Sequence, residues 1–308
     1  MKKQVRALVL LSGGLDSILA VKLLLEQGIE VEAINFRTNF CGPAKARPAA
    51  QMLGVPLREI NIREYFLAVL KKPKYGYGAG LNPCIDCHAL MLKKAGEIMR
   101  AEGYDFVATG EVLGERPMSQ HKQALKIIEK EAGLEGYLLR PLSAKLLEPT
   151  IPEKGNLVDR EKLLAISGRN RKPQIELAAR YGIKNYPTPA GGCALTQEGF
   201  AQRLRELMKN KPDFDAQDVD LVAIGRHFFI DNVQIILGRN QQENEILKSF
   251  KKETDIFIIP INFSGPEALI SGKGASEFVD KTKELIIKFS AKTKDLNENQ
   301  LDFKVVRR

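Results

Sequence analysis

Short apolar runs alternate with helically spaced ones through the first part of the chain. Val5 to Leu11 is an almost continuous apolar run of strand length, the pattern of a buried parallel strand. The apolar spacing from Ile18 to Leu25 predicts a helix ended by Gly28, and Ile29 to Phe36 predicts a second strand. Ala44 to Leu53 reads as a helix closed by Gly54, Leu57 to Ile62 as a third strand, Ala89 to Glu102 as a helix and Phe106 to Thr109 as a fourth strand. Strand and helix units in this alternation give an α/β fold with a doubly wound parallel sheet. Ligands of such sheets bind outside the carboxyl ends of the strands, so the loops after Leu11, Phe36 and Thr109 should face one crevice.

Beyond Pro187 the pattern changes. Tyr186 to Gly192, with two prolines and two glycines, reads as a hinge. Val219 to Ile224, Val233 to Leu237 and Ile256 to Ile261 are shorter strand candidates, and Ala275 to Phe289 is a helix candidate. Residues 1–190 and 191–308 are therefore expected to form a larger α/β domain and a smaller α+β domain.

Composition narrows the class. Hydrophobic residues make up 44% of the 308 and charged residues 28%, near the average for soluble globular proteins and unlike disordered or collagen-like chains. No stretch approaches the roughly 20 apolar residues of a membrane span. The apolar run after the basic start stops at Ser12-Gly13-Gly14, so no export signal is read and a cytoplasmic location without a membrane partner is expected. The net charge of +9 favours a polyanionic partner. Residues 195–308 carry 18 basic and 18 acidic side chains, so the excess lies wholly in residues 1–194, at 29 against 20.

Ser12-Gly13-Gly14-Leu15-Asp16-Ser17 falls between the first strand and its helix. Glycines there let the backbone approach an anion, and the helix N-terminus supplies oriented N–H donors. It lacks the lysine and the glycine spacing of a Walker A loop. Ser12, Ser17 and the free amides would hold pyrophosphate, while Asp16 would hold Mg²⁺ or orient the helix. The hexapeptide resembles the SGGxDS signature of the PP-loop ATP pyrophosphatases. That resemblance implies cleavage of ATP between its α and β phosphates and transfer of adenylate to a substrate oxygen. Ala108-Thr109-Gly110-Glu111 is similar to the segment lining the AMP site of tRNA 2-thiouridylases, and Leu139-Arg140-Pro141-Leu142 to a later segment of the family. Phe36, Thr109 and Gly110 join the nucleotide-binding candidates.

Cys84-Ile85-Asp86-Cys87 opens a helix after Asn82-Pro83, and Cys193 follows Gly191-Gly192. A CxxC pair by itself serves zinc, redox chemistry or iron–sulfur ligation, and His88 adds an imitation of the haem attachment motif. Joined to a PP-loop and a third cysteine, the pattern resembles the iron–sulfur class of tRNA thiolases. The resemblance implies that Cys84, Cys87 and Cys193 hold a 4Fe-4S cluster with one open iron. Cys41 is read as a small buried thiol, with a persulfide carrier as the alternative, and receives no assigned role.

Gly168-Arg169-Asn170-Arg171-Lys172-Pro173 places three cations before a helix from Gln174 to Tyr181, a pattern suited to RNA phosphates. Val233 to Leu237, Gly238-Arg239-Asn240 and Gln241 to Leu247 resemble the strand, turn and helix of the NFACT RNA-binding domain, a likeness that continues over about residues 217–292. It departs at Asn262-Phe263, where that family often carries a histidine. These resemblances imply an ATP-dependent tRNA sulfurtransferase making 2-thio- or 4-thiouridine, with sulfide or a sulfur-carrier protein as donor. A PP-loop amide-forming ligase and a non-enzymatic RNA-binding adaptor are the competing readings.

Overall fold

The computed structural model describes residues 4–187, 193–290 and 301–307. The chain divides into two compact units, Met1–Thr196 and Gln197–Arg308. The expected hinge falls partly on residues 188–192, outside the described residues. Cys193 lies at the end of the first unit.

The first unit is a five-stranded parallel sheet. Its strands are β1 (Arg6–Leu10), β2 (Glu30–Arg37), β3 (Leu57–Asn61), β4 (Phe106–Thr109) and β5 (Leu138–Leu139), in the order β3-β2-β1-β4-β5. Its helices are α1 (Leu15–Leu25), α2 (Ala46–Leu53), α3 (Arg63–Lys71), α4 (Cys84–Glu102), α5 (Lys122–Glu131), α6 (Ile151–Lys154) and α7 (Lys172–Arg180). Side chains of β1 alternate between two cores, as the period-two pleat requires. Ala7 and Val9 join Leu15, Ile18 and Ala178 on one face. Leu8 joins Ile34, Leu92, Ala95 and Ile128 on the other. With helices covering both faces, the sheet is doubly wound, as its sequence pattern predicts. The chain runs outward from β1 to β3 and then returns to the opposite side of β1 as β4. The reversal makes the carboxyl ends of β1 and β4 the switch point of the sheet, the place where ligands of doubly wound folds bind.

The second unit opens with α8 (Glu198–Asn210) and α9 (Ala216–Leu221). Then come β6 (Arg226–Ile230), β7 (Val233–Leu237), α10 (Gln241–Ser249), β8 (Ile256–Pro260), β9 (Ala268–Ser271), α11 (Val279–Lys288) and β10 (Phe303–Val306). The strands form an antiparallel sheet ordered β10-β8-β9-β7-β6. The β6–β7 hairpin turns on Asp231 and Asn232, whose φ values of 48° and 65° suit a two-residue turn of the mirror-image type.

One element differs from its sequence pattern. Val219 to Ile224 is not a strand: Val219 and Leu221 belong to α9. Asp215 accepts from the Asp218 amide at 2.9 Å, and Asp218 accepts from the Asp215 amide at 3.0 Å. This reciprocal cap satisfies two donors that a helix start leaves open, and it outweighs the strand preference of the β-branched residues that follow. The helix expected over Ala275–Phe289 begins instead as a 3₁₀ turn, Ala275–Phe278, before α11. Among the described residues, no helix is long and apolar enough to cross a membrane.

Candidate active site at the carboxyl edge of the sheet

The phosphate loop leaves β1 and enters α1 at this switch point. The Asn35 amide, buried in β2, donates to the Leu11 carbonyl at 2.8 Å and fixes where the loop begins. Ser12 Oγ accepts from the Gly14 amide at 3.2 Å, Ser17 Oγ donates to the Gly14 carbonyl at 2.8 Å, and the two hydroxyls lie 3.2 Å apart. Gly13 has φ 78°, and a Cβ there would strike the Lys45 carbonyl. Gly110, just beyond β4, is equally constrained: its Cβ would lie 2.5 Å from the Asp16 carbonyl carbon and from the Ser17 amide nitrogen. The first approach sets the loop against the start of α2, and the second sets the end of β4 against the backbone at the start of α1. No side chain caps α1 at Gly14, so its first-turn N–H groups remain available to an anion.

Asp16 stands in the first turn of α1 with its side chain only 19% exposed. Burial raises its pKa above the usual value, and the positive charge of Arg171 opposes the rise. Arg171 donates from Nη2 to Asp16 Oδ2 at 3.2 Å, while Asp16 Oδ1 is buried without a hydrogen-bond partner. The carboxyl of Glu115 is also pushed up, by burial and then by the negative charge of Asp16. Of the three basic-loop cations, Arg169 and Lys172 are exposed, whereas Arg171 is half-buried against the phosphate loop.

Behind the loop lies a buried polar cluster that sequence reasoning did not single out. Glu111 accepts from Arg140 Nε at 3.0 Å and from Thr109 Oγ1 at 3.1 Å, and its other oxygen meets His88 Nδ1 at 2.7 Å. Arg140 also reaches Glu129 at 3.0 Å and the Leu125 carbonyl at 3.3 Å. Burial would raise the Glu111 pKa, but the charge of Arg140 and the contact with His88 prevail and hold it at about 2. The signal was present in part, since Glu111 and Arg140 sit inside the two family-like segments and His88 follows the cysteine pair.

Cys84 and Cys87 occupy the first turn of α4. Asn82 Nδ2 donates to Cys84 Sγ at 3.2 Å. The Asp86 carboxylate accepts from the Lys74 and Tyr75 amides at 2.8 and 3.0 Å, anchoring the preceding loop to the helix. The Leu81 amide donates to the Leu195 carbonyl at 3.0 Å, which carries Cys193 toward the same loop. Burial pushes the Cys87 thiol well up, and the neighbouring thiols of Cys41, Cys193 and Cys84 push the same way. Cys193 retains an exposed surface, yet the protein around it raises its pKa to about 11, chiefly by burial, with Cys41 and Cys84 adding to the rise. The four thiols therefore share one electrostatic neighbourhood. Among the described residues, no three His, Cys, Asp or Glu side chains converge in a metal-binding arrangement. Cys41 is exposed rather than buried. Its Sγ is held 3.1 Å from Thr38 Oγ1 and 3.6 Å from the Phe36 carbonyl by the turn that follows β2. Phe36 itself is 4% exposed and belongs to the core around Leu92, so its backbone rather than its ring reaches the edge.

The fold and site define an α/β protein with a glycine-containing loop at the switch point of a doubly wound sheet and a group of thiols on the same edge. Comparison with known proteins agrees. Residues 2–146 match the family described as Thiamine biosynthesis protein (ThiI), and residues 225–307 match the NFACT protein RNA binding domain. Two separate segments of the chain are thus similar to these two families. It is 27% identical over 296 residues to tRNA-specific 2-thiouridylase MnmA 1 of Syntrophus aciditrophicus, covering 87% of this chain and 72% of that protein. It is 26% identical over 233 residues to tRNA-specific 2-thiouridylase MnmA of Psychromonas ingrahamii, covering 68% and 58%. It spans 54% to 61% of the length of six of the curated relatives it matches. A solved 4-thiouridine synthetase–RNA complex with bound ATP aligns over 70% of this chain and 52% of that one, at 20% identity and a TM-score of 0.41.

Proposed function

We propose that this chain is an ATP-dependent tRNA sulfurtransferase that adenylates a pyrimidine oxygen and replaces it with sulfur. The observation that carries the reading is the placement of the phosphate loop and the thiols on one carboxyl edge of one sheet. A site for making a leaving group and a site for presenting sulfur thereby share that edge. Curated relatives named as tRNA-specific 2-thiouridylases support the tRNA substrate, as does the NFACT-like segment.

In this reading the loop amides, Ser12 and Ser17 hold the pyrophosphate portion of ATP, and Asp16 holds Mg²⁺. The backbone of Gly110 and Thr109 borders the nucleotide. The pyrimidine oxygen attacks the α-phosphorus, pyrophosphate leaves, and the adenylated carbon then accepts a sulfur nucleophile and releases AMP. Electrostatic stabilisation by prepositioned N–H donors is the main contribution such a loop makes to phosphoryl chemistry. Cys84, Cys87 and Cys193 offer the thiol donors that a 4Fe-4S cluster takes and share one electrostatic neighbourhood, although among the described residues they do not converge in a metal-binding arrangement. Those residues would hold the cluster, and when bound it supplies a Lewis-acidic iron for sulfide, delivered free or by a carrier protein. Arg169 and Lys172 contact tRNA phosphates.

The test is release of AMP and pyrophosphate with and without tRNA, joined to mass spectrometry of the product nucleosides. Release that depends on tRNA and yields a thiouridine supports the proposal. Release without tRNA points to a small-molecule ligase, and RNA binding without release points to an adaptor. Anaerobic reconstitution should give about four irons per chain, and Ala at Cys84, Cys87 or Cys193 should abolish thiolation while sparing ATP binding. One zinc per chain with full activity in air would remove the cluster from the mechanism.

A further inference from the structure

Asp16 of the phosphate loop receives a cationic partner from far along the chain. Arg171 Nη2 lies 3.2 Å from Asp16 Oδ2, with the two side chains 20% and 19% exposed. The segment bearing Arg171 is built into the site. The Gly168 amide donates to the Leu113 carbonyl at 2.7 Å, and Ser143 Oγ accepts from the Leu113 amide at 2.9 Å and donates to the Ile166 carbonyl at 2.7 Å.

The contact between loop and segment is incomplete. Asp16 Oδ1 has no partner, and Gln174, at 0% exposure in the first turn of α7, has both its amide oxygen and its amide nitrogen unpartnered. The Gln174 side chain nevertheless acts on Asp16 as a hydrogen-bonding neighbour and lowers its pKa, although neither the Gln174 amide nor Asp16 Oδ1 has a partner at full hydrogen-bond geometry. Unpaired buried polar atoms are costly and ask for an explanation. Here they surround one spot, to which α1 and α7 both present their N-terminal ends, of 11 and nine residues respectively. Two helix starts, a guanidinium and an orphaned amide make a receptor for an anion of more than one charge.

We propose that Arg171 and Gln174 bind the β- and γ-phosphates of ATP, and hence the departing pyrophosphate, with Arg171 held on Asp16 until nucleotide arrives. This rests on the reading of Ser12–Ser17 as the ATP loop. The planar fork of arginine matches phosphate oxygens in pairs, so its transfer from a single contact with Asp16 to the polyphosphate gains hydrogen bonds while freeing Asp16 for the cation that accompanies ATP. The basic loop is thereby divided between two anions. Arg171 serves the nucleotide, and its exposed neighbours Arg169 and Lys172 remain for RNA.

The experiment measures binding of Mg·ATP, inorganic pyrophosphate and AMP to the full chain by calorimetry for wild type, R171Q, R171K, Q174L and the control R180Q at the far end of α7. R171Q should weaken ATP and pyrophosphate by roughly tenfold or more, the scale of a lost charge-assisted contact, while AMP changes by less than about twofold. R171K should recover part of the loss, Q174L should weaken pyrophosphate less than R171Q, and R180Q should match wild type. Equal losses for AMP and ATP in R171Q would reduce Arg171 to a structural support and overturn the proposal, as would unchanged pyrophosphate binding. Wild-type protein that bound none of the three would instead bring down the ATP-loop reading on which the proposal stands.

Discussion

The two halves of the carboxyl edge are built by opposite means. The phosphate side is mostly backbone: Gly13 and Gly110 sit where no Cβ fits, and Ser12 and Ser17 bond to the same short loop they belong to. The thiol side is mostly side chain, gathered from the turn after β2, the start of α4 and the segment at Cys193. A backbone cradle is fixed as soon as neighbouring strands pair. A set of thiols from three separated segments depends on each loop reaching its own anchor, such as Asp86 on the Lys74 and Tyr75 amides. Under the proposed function, the nucleotide step should tolerate almost no substitution in the loop, whereas the sulfur step should be sensitive to changes distributed over the unit.

The largest expected effect tests whether the halves are separable. Asp16→Ala should lower ATP cleavage by about 100-fold or more, the order seen when one stabilising group is removed from a charged transition state. The thiols should alkylate at their wild-type rates in the same variant. Slowed or accelerated alkylation would mean that the two sides are not independent.

Glu111 is the seam, because it takes His88 from the thiol helix and Thr109 from the end of β4. Glu111→Gln leaves Arg140, buried at 4% exposure, with Glu129 as its remaining carboxylate partner, so the cost should fall below the roughly 3–5 kcal/mol of a buried pair broken outright. The sign with pH follows from the folded-state pKa near 2, below the usual 4.5. The carboxylate's contribution is fully present above about 4.5 and is lost as pH falls through 2. Urea unfolding should therefore show the widest gap between wild type and variant above pH 5, closing under acid. A gap that widened on acidification would contradict the assigned charge state.

Gly110→Ala is smaller. Its added methyl must displace the Asp16–Ser17 backbone, an overpacking cost of about 1–3 kcal/mol, and ATP binding should weaken along with stability. Stability lost with ATP affinity intact would uncouple β4 from the loop. Smallest is the joint change of Arg169 and Lys172 to Gln, which should reduce the logarithmic salt slope of tRNA binding by about 1 unit or less per contact. An unchanged slope would assign both residues to plain surface.

Legibility followed the same division. The doubly wound sheet and the Ser12–Ser17 loop were readable because each is encoded in contiguous residues, an apolar run followed by glycines and a helical spacing. Phe106–Thr109 and Val233–Leu237 matched to the residue because both are almost wholly buried and bounded by polar or glycine residues. The Glu111, His88 and Arg140 cluster was not legible, since nothing in local spacing says that three ionisable side chains from α4 and two loops will be buried together. Arg171 read as one of three equivalent loop cations, and only the packing of α7 against α1 separates it from Arg169 and Lys172. Val219–Ile224 went astray for a local reason: an Asp215–Asp218 cap outweighed a β-branched run. Cys41 went astray because a cysteine's default is burial, and the turn made by Thr38 holds this one outward instead.

The bond from the Leu81 amide to the Leu195 carbonyl also has a consequence for biosynthesis. Contacts between segments so distant in sequence form late, after the intervening chain has ordered. On the ribosome, Cys84 and Cys87 emerge long before Cys193, so the nascent chain carries a bare thiol pair open to stray zinc or to oxidation. A protein translated slowly or arrested before residue 195 should accumulate in a mismetallated or disulfide-linked form, and full-length synthesis under reducing conditions should prevent it.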